Sequence, residues 1–314
     1  SKKLEEIDVL SLTIQQRDEI LNSGLTDREA SVRQACTDMI FENWIQKANG
    51  NLIQFLAGLD VISNTKVAEI ALKHFFRKLP NMLNDNFNDQ FLRSMTAEMA
   101  FILRVYCEHQ VSENKDDRQI VQDLLPELST MNQYARDKYN SIITCDDEVI
   151  KAELGFVLNE LLRVSALLDF SDEVGRRALF ETVQEIMSNL ETSESVYQTC
   201  IKIFIEHCSS TQEFLEIMTE FIGSFRDVYD CSNADNGEIS DDIKIMANLR
   251  ALDIISNVFS IPDISFAKYP ILVAYLDEIV IQSVNSQFAA VQASGLKCLG
   301  LCCTIEKVYL LWAF

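Results

Sequence analysis

Nine cysteines and three histidines are the residues of this chain with the chemistry to hold a metal or attack a carbonyl. Their spacing serves neither purpose. Cys107 with His109 and His207 with Cys208 are the close neighbours, and neither pair has the i, i+4 separation that aims two helical ligands at one ion. There is no Cys-x-x-Cys pair and the count is odd, so a zinc knuckle and a closed disulfide framework are both unexpected. Cys36, Cys200, Cys298 and Cys302 fall at apolar helical positions, where a thiol behaves as a small hydrophobe. His74, His109 and His207 lie near no Ser or Cys in a recognisable nucleophile setting, and no paired-carboxylate site stands out. The chain also lacks the Gly-x-x-x-x-Gly-Lys-Ser/Thr phosphate loop. We therefore expect no catalytic residue, no cofactor, no metal and no small-molecule substrate.

Charge is the remaining chemistry. The densest positive group is Lys66, Lys73, His74, Arg77 and Lys78, in which Lys66, Lys73 and Arg77 are separated by seven and four residues and share a helix face. That stripe fits either a phosphate backbone or a solvated helix face flanking Val67, Ile70, Ala71 and Phe75. Arg28 and Arg33 are the next basic candidates, and Arg33 has a structural reading as a tie to the Asp of a neighbouring repeat. The formal charge of the whole chain is −21. Because duplex affinity comes largely from Lys and Arg displacing counterions, a nucleic-acid face must be local or lie outside this sequence. The acidic surplus itself suits either simple solubility or the attraction of a basic, partly disordered partner.

The elements that must carry these residues read as helices nearly throughout. Thr26 and Glu29 have the spacing of a capping box ahead of an apolar run. Val32, Ala35, Cys36, Met39, Ile40 and Trp44 then recur on one face. Similar periodicity predicts helices over 13–23, 28–46, 51–59, 65–79, 88–108, 117–142, 147–168, 172–190, 194–208, 211–229, 241–259, 270–283 and 286–303. Only 9 Gly and 4 Pro occur among 314 residues, which favours long helices over strands. Pro126 is expected to start or kink a helix. The acidic, polar stretch 229–242 reads as a solvated loop and 112–117 as a lesser one. Helix pairs recur at roughly 35 to 40 residues, the signature of stacked helical hairpins. The fold class expected is thus all-α, one continuous α-solenoid over 1–314.

The chain begins without Met, shows no secretory signal and contains no apolar run long enough to span a membrane. It closes on the apolar YLLWAF, as if a following helix were missing. Together these suggest a soluble fragment of a longer protein. Trp44, Phe156, Trp312 and Phe314 read as core or end aromatics.

Three helices share one pattern: a polar start, a Val, a charged or amide residue, then a small residue. They are Asp27 to Ala35, Asp172 to Ala178 and Gln287 to Gly295. Val174, Ala178, Leu179, Val183, Ile186, Met187 and Leu190 form the stripe of the second. Val291, Gly295, Cys298, Leu299 and Cys302 form that of the third, with Gly295 and Gly300 expected to let a neighbouring helix approach. The stretches GLTDREASVRQAC (24–36), LLDFSDEVGRRALFETV (167–183) and SGLKCLGLCC (294–303), in this order, resemble the HEAT-repeat subunit of condensin of the CAP-G class, condensin subunit 3. Gln292 departs from the pattern, because an Arg usually follows this Val in a HEAT helix.

The resemblance implies a HEAT-repeat solenoid with no catalysis of its own. It would bind the kleisin subunit and, with it, clasp double-stranded DNA for mitotic chromosome condensation. ATP hydrolysis would belong to coiled-coil ATPase subunits reached indirectly. The nucleic-acid candidates are then Lys66, Lys73, Arg77, Lys78 and Arg28. Asp172, Glu173, Arg176 and Arg177 become candidates for orienting kleisin, although Glu173 and Arg177 also have the acid-first, i, i+4 spacing of a surface ion pair. Localisation would be nuclear and cytoplasmic, on chromosomes in mitosis, with no membrane partner. A protein-only solenoid, such as a nuclear-import receptor or phosphatase scaffold, fits the same composition, and an enzyme fits it least.

Overall fold

The computed structural model describes residues 12–46, 50–79, 87–114, 118–230, 240–262 and 264–305. Among these residues every regular element is helical: α1 (Ile14–Leu25), α2 (Ala30–Met39), α3 (Leu52–Ala57), α4 (Thr65–Lys78), α5 (Asp89–Arg93), α6 (Ala97–Glu113), α7 (Gln119–Leu124) and α8 (Leu128–Ile143). There follow α9 (Glu148–Ser165), α10 (Glu173–Ser188), α11 (Glu194–His207), α12 (Thr211–Asp230), α13 (Asp241–Phe259), α14 (Ile271–Tyr275), α15 (Ile281–Val284) and α16 (Ala289–Ile305). Wider π turns, Ile40–Ile45 and Leu276–Val280, continue α2 and join α14 to α15. Of the predicted acidic loop, 231–239 lie outside the described residues, as do 115–117, Pro80, Trp312 and Phe314.

Two compact units divide the chain, residues 1–183 and 184–314. Within the first, α1 packs on α2 and α4, α4 on α6, α6 on α9 and α9 on α8. Within the second, α12 packs on α13, α13 on α16 and α16 on α15. Each unit is a row of helical hairpins whose second helices touch in succession, the packing of an α-solenoid.

Local chemistry explains where these helices begin. A capping box does form, but at Thr13: its Oγ1 accepts from the Gln16 backbone N at 3.2 Å, and Gln16 Oε1 accepts from the Thr13 N at 3.0 Å. The box expected at Thr26 and Glu29 is absent, because Thr26 closes α1 and its hydroxyl donates back to Asn22 O. Asp27 Oδ1 instead accepts from Glu29 N at 2.8 Å, and α2 begins at Ala30. Val32, in the first turn of α2, is exposed to solvent, leaving Cys36, Met39, Ile40 and Trp44 as the buried face. The predicted 88–108 helix is broken at Ser94–Thr96, where the Thr96 hydroxyl caps α6. The 117–142 helix is broken around Pro126, which has no N–H to continue α7.

Trp44, Phe76, Phe101, Tyr106 and Phe204 are almost wholly buried, each worth about 2 kcal/mol of transfer free energy. Phe76 meets the Tyr106 ring edge-on at 5.1 Å, tying α4 to α6. The expected thiols Cys36, Cys200, Cys298 and Cys302 are buried and unbridged, and burial pushes Cys36 up to about 11 and Cys298 up to about 12. Phe156 packs on Phe101 at 6.2 Å.

Only one of the two glycines in α16 is packed tightly. A Cβ on Gly295 would sit 2.9 Å from Val284 N and 3.0 Å from Ser283 C, whereas one on Gly300 would meet open space. Val174 also departs from expectation, lying exposed at the first turn of α10 while Leu179, Val183, Ile186 and Met187 carry the burial.

Candidate functional site

The basic candidates form a compact edge rather than a long stripe. Arg33 lies on α2 and donates through Nη1 to the Asp27 and Arg28 carbonyls, at 2.6 and 2.8 Å. It thus fastens the turn before its own helix and not an Asp of another repeat. His74, Arg77 and Lys78 face it from α4. Burial lowers the His74 pKa, and the charges of Arg77, Arg33 and Lys78 lower it further, an electrical record of their convergence. Lys78 crosses to Asp38 of α2 at 2.8 Å. Arg28 and Arg77 are exposed. Lys73 instead pairs with Glu69 at 2.6 Å, and Lys66 stands three turns from Arg77, roughly 16 Å along the helix axis.

The four residues at the start of α10 have local work. Asp172 caps the helix, its Oδ2 accepting from Gly175 N at 2.9 Å and its Oδ1 from Val174 N at 3.2 Å. Glu173 accepts from Arg176 through Nε at 3.1 Å and Nη2 at 2.9 Å, and from Arg177 at 3.4 Å. Arg176 therefore outcompetes the i+4 partner and holds the Glu173 carboxyl below the usual range. A Cβ on Gly175 would strike the capping Asp172 Oδ2 at 2.9 Å and touch Leu128 and the Ser129 backbone of α8 at 3.4 Å. The outward features left are Val174 and the Arg177 guanidinium.

Sequence reasoning missed a buried ion network inside the first unit. Arg104 of α6, fully buried, donates through Nε to Glu160 of α9 at 2.6 Å and through Nη1 to Glu69 of α4 at 2.7 Å and Glu108 at 2.9 Å. Arg163 reaches Glu108 at 2.7 Å and Glu160 at 3.6 Å, and Lys73 completes the set on Glu69. Three carboxylates thus face three cations across three stacked helices. Burial pushes Glu160 upward despite Arg104 and Arg163, while for Glu69 burial is outweighed by Lys73 and Arg104, which hold it low. The available signal was Arg104 itself, a lone cation in the apolar run AFILRVYC with Glu108 one turn on.

The second unit carries an arginine of similar burial in a different setting. Arg250 of α13, 4% exposed, donates to Glu194 at 2.9 Å and to the Thr192 carbonyl. Its guanidinium lies 4.3 Å from the Tyr197 ring centroid. Beside it opens a cavity of about 490 Å³ with Glu191, Glu194, Met246, Asp253 and Ser294 in its walls. Near the end of α15, Gln292 donates to the Val284 carbonyl at 3.0 Å, an amide contact where the repeat pattern usually has Arg. Cys298 of the GLKCLGLCC run donates its thiol hydrogen to Leu252 O of α13 at 3.3 Å, so that motif fastens α16 to α13.

A family model for nuclear condensing complex subunits, C-terminal domain, matches residues 250–311. Condensin complex subunit 3 of Schizosaccharomyces pombe is 32% identical over 216 residues, covering 68% of this chain and 24% of that protein. The chain belongs to the condensin subunit 3 family. The human condensin complex subunit 3 is 24% identical over 238 residues, covering 71% of this chain and 23% of its own length. In the crystal structure of the S. pombe condensin Cnd3–Cnd2 subcomplex, a chain 28% identical superposes with a TM-score of 0.80, over 94% of this chain and 39% of that one. The fold is accordingly the HEAT-repeat α-solenoid of condensin subunit 3. This chain spans about a quarter of the length of the curated subunit 3 relatives it matches. The matched C-terminal region opens at Arg250 and takes in Asp253, Gly295 and Cys298.

Among the described residues no helix is long and apolar enough to cross a membrane. Nor do three His, Cys, Asp or Glu side chains among them converge as a metal site.

Proposed function

We propose that this condensin subunit 3 chain is a non-catalytic HEAT-repeat scaffold that binds the kleisin subunit and, together with it, double-stranded DNA. It serves mitotic chromosome condensation in the nucleus and on chromosomes, with the coiled-coil ATPase subunits reached through the complex. The likeness of nearly the whole chain to one crystallised as a Cnd3–Cnd2 subcomplex carries the kleisin part of this reading. The DNA part rests on the basic edge of Arg33, Arg77 and Lys78, whose charges lower the His74 pKa, with the exposed Arg28 in the turn that Arg33 fastens, on a chain of charge −21. Lys66 contributes less to that edge by distance, and Lys73 and Lys78 through their pairs with Glu69 and Asp38. Asp172 and Glu173 support a kleisin surface by fixing the first turn of α10, from which Arg177 projects.

The test is size-exclusion co-elution of this chain with the kleisin, followed by titration of the complex with labelled duplex at 50 and 200 mM salt. With about four phosphate contacts the affinity should fall on the order of a hundredfold between the two salts. Co-elution without DNA binding would make the chain a kleisin dock alone. Absence of co-elution would return it to the class of protein-only scaffolds.

A further inference from the structure

The cavity beside Arg250 has two unmet demands, and they differ in sign. Asp253 lies half-buried with its carboxyl against that of Glu194, and among the described residues it makes no ion pair within 4 Å. Arg250 and the exposed Lys297 are its nearest cations, but Arg250 is already held by Glu194 and by the Leu190 and Thr192 carbonyls. Glu191 adds a third carboxyl on the wall. The other demand is a hydrogen-bond acceptor: the Nε of Arg250, a residue in the cavity wall, is buried without a partner. An orphaned buried polar atom is costly; the Nη2 of Arg104 is orphaned as well, but Arg250 lines an open cavity beside a surplus of carboxyls.

We propose that this cavity, walled by Glu191, Glu194, Met246, Arg250, Asp253 and Ser294, receives a lysine or arginine side chain of an extended polypeptide segment, whose main-chain carbonyl accepts from Arg250. One ligand of that kind meets both demands. An inorganic anion would satisfy Arg250 but face the carboxyl pair, and a metal ion would satisfy the pair but face the guanidinium. Met246, 39% exposed, and Leu249 offer an apolar strip along which the methylene stem of a basic side chain can lie. The volume falls within the range of sites that bury a small ligand. Burial, with Glu194 close by, pushes Asp253 up to about 6, the response of a carboxyl short of a counter-charge. The kleisin is the segment to test, and in this form the inference rests on the kleisin reading above.

The experiment titrates a fluorescently labelled kleisin segment with the intact chain by anisotropy. The variants are Asp253→Asn, which keeps the side-chain shape while removing the charge, and Ser294→Arg, which sets a guanidinium of the chain's own at the cavity mouth. Each should weaken binding about tenfold. Replacing one particular kleisin Lys or Arg by Gln should cost the same tenfold against the unaltered chain and nothing further against Asp253→Asn, the pattern of a direct pair. Tight binding by the unaltered chain and equally tight binding by both variants overturns the cavity assignment and leaves the kleisin reading standing. No binding by the unaltered chain overturns both. A thermal melt of Asp253→Asn that is unchanged or raised shows that weakened binding does not come from unfolding.

Discussion

Replacing Arg104 by methionine removes one guanidinium from a network with three cations and three carboxylates, and its cost follows from what each acid keeps. Glu69 keeps Lys73 at 2.6 Å and Glu108 keeps Arg163 at 2.7 Å. Glu160, 1% exposed, loses its 2.6 Å bond and keeps only the longer contacts of Arg163 at 3.6 Å and the Asn159 amide at 3.4 Å. One buried carboxylate is thereby stripped of its main partner, a change that costs on the order of 3–5 kcal/mol. For a unit of 183 residues that corresponds to a fall of about 10 °C in the midpoint of its melting. Circular dichroism melts of the intact chain measure this, and pH tests the cause. Burial already sets the Glu160 pKa in the folded chain above its unfolded value. The folded state then binds the extra proton, so stability declines as pH rises through that window. Removing Arg104 raises the folded pKa further, so the variant should lose more at pH 8 than at pH 5. Adding Glu160→Met should recover most of the loss, because an apolar pair replaces an ionic one. A loss under about 1 kcal/mol, equal at both pH values, or a double variant whose losses simply add, would refute the reasoning.

Other outcomes follow from single contacts. Gly295→Ala should destabilise by about 1–3 kcal/mol, since its Cβ would strike backbone atoms of Ser283 and Val284. Gly300→Ala, facing open space, should stabilise by about 0.5–1 kcal/mol; urea unfolding of the two variants side by side separates these signs. For Asp253, raised to about 6 in the fold, stability is lost as pH climbs from about 4 to above 6. Asp253→Asn should therefore gain about 1–2 kcal/mol at pH 7.5, after allowance for solvent screening, and close to nothing at pH 4. In the kleisin-bound complex, Arg28→Gln with Arg77→Gln should reduce the slope of log affinity against log salt by about 1.8. Lys66→Gln should leave that slope unchanged, as measured by duplex titration over a salt series.

Helix positions were legible because the apolar residues repeat at 3.6 and the capping residues are local. Their interruptions were less so. Thr96 and Thr26 look alike in sequence, yet one caps a helix N-terminus and the other closes a helix C-terminus, a choice made by the turn behind Thr26 where Asn22 offers its carbonyl. Val32 and Val174 match an apolar stripe but face water, because each lies in the first turn of its helix, ahead of the residues that carry the burial. The basic edge was half legible: α4 carries His74, Arg77 and Lys78 in one segment, but only packing brings Arg33 to them and ties Lys73 to Glu69. Least legible was Arg104, two of whose three partners lie 35 and 56 residues away. Periodicity registers which residues share a face and carries no information about which face meets which.

Arg104 and Arg250 show how the same buried residue can serve opposite ends. Each sits within a helix of the stacked row, each lies against an aromatic ring, and each reaches an acid on another helix of its unit. What differs is closure. Around Arg104 the cations Lys73 and Arg163 match the remaining carboxylates, so no acidic charge is left over there, although the Arg104 Nη2 is itself buried without a hydrogen-bond partner. Around Arg250 the carboxyl of Asp253 is left over, and the surplus borders a cavity rather than packed side chains. A charge-balanced network buried among three helices fixes their packing and leaves no surplus charge for a ligand to relieve. An unbalanced one beside a cavity carries a free-energy cost in the unbound chain that an arriving cation removes, and affinity and selectivity for a basic segment arise from that difference. On this ground the first arginine is assigned to the scaffold and the second to recognition, although nothing in the sequence around either residue distinguishes them.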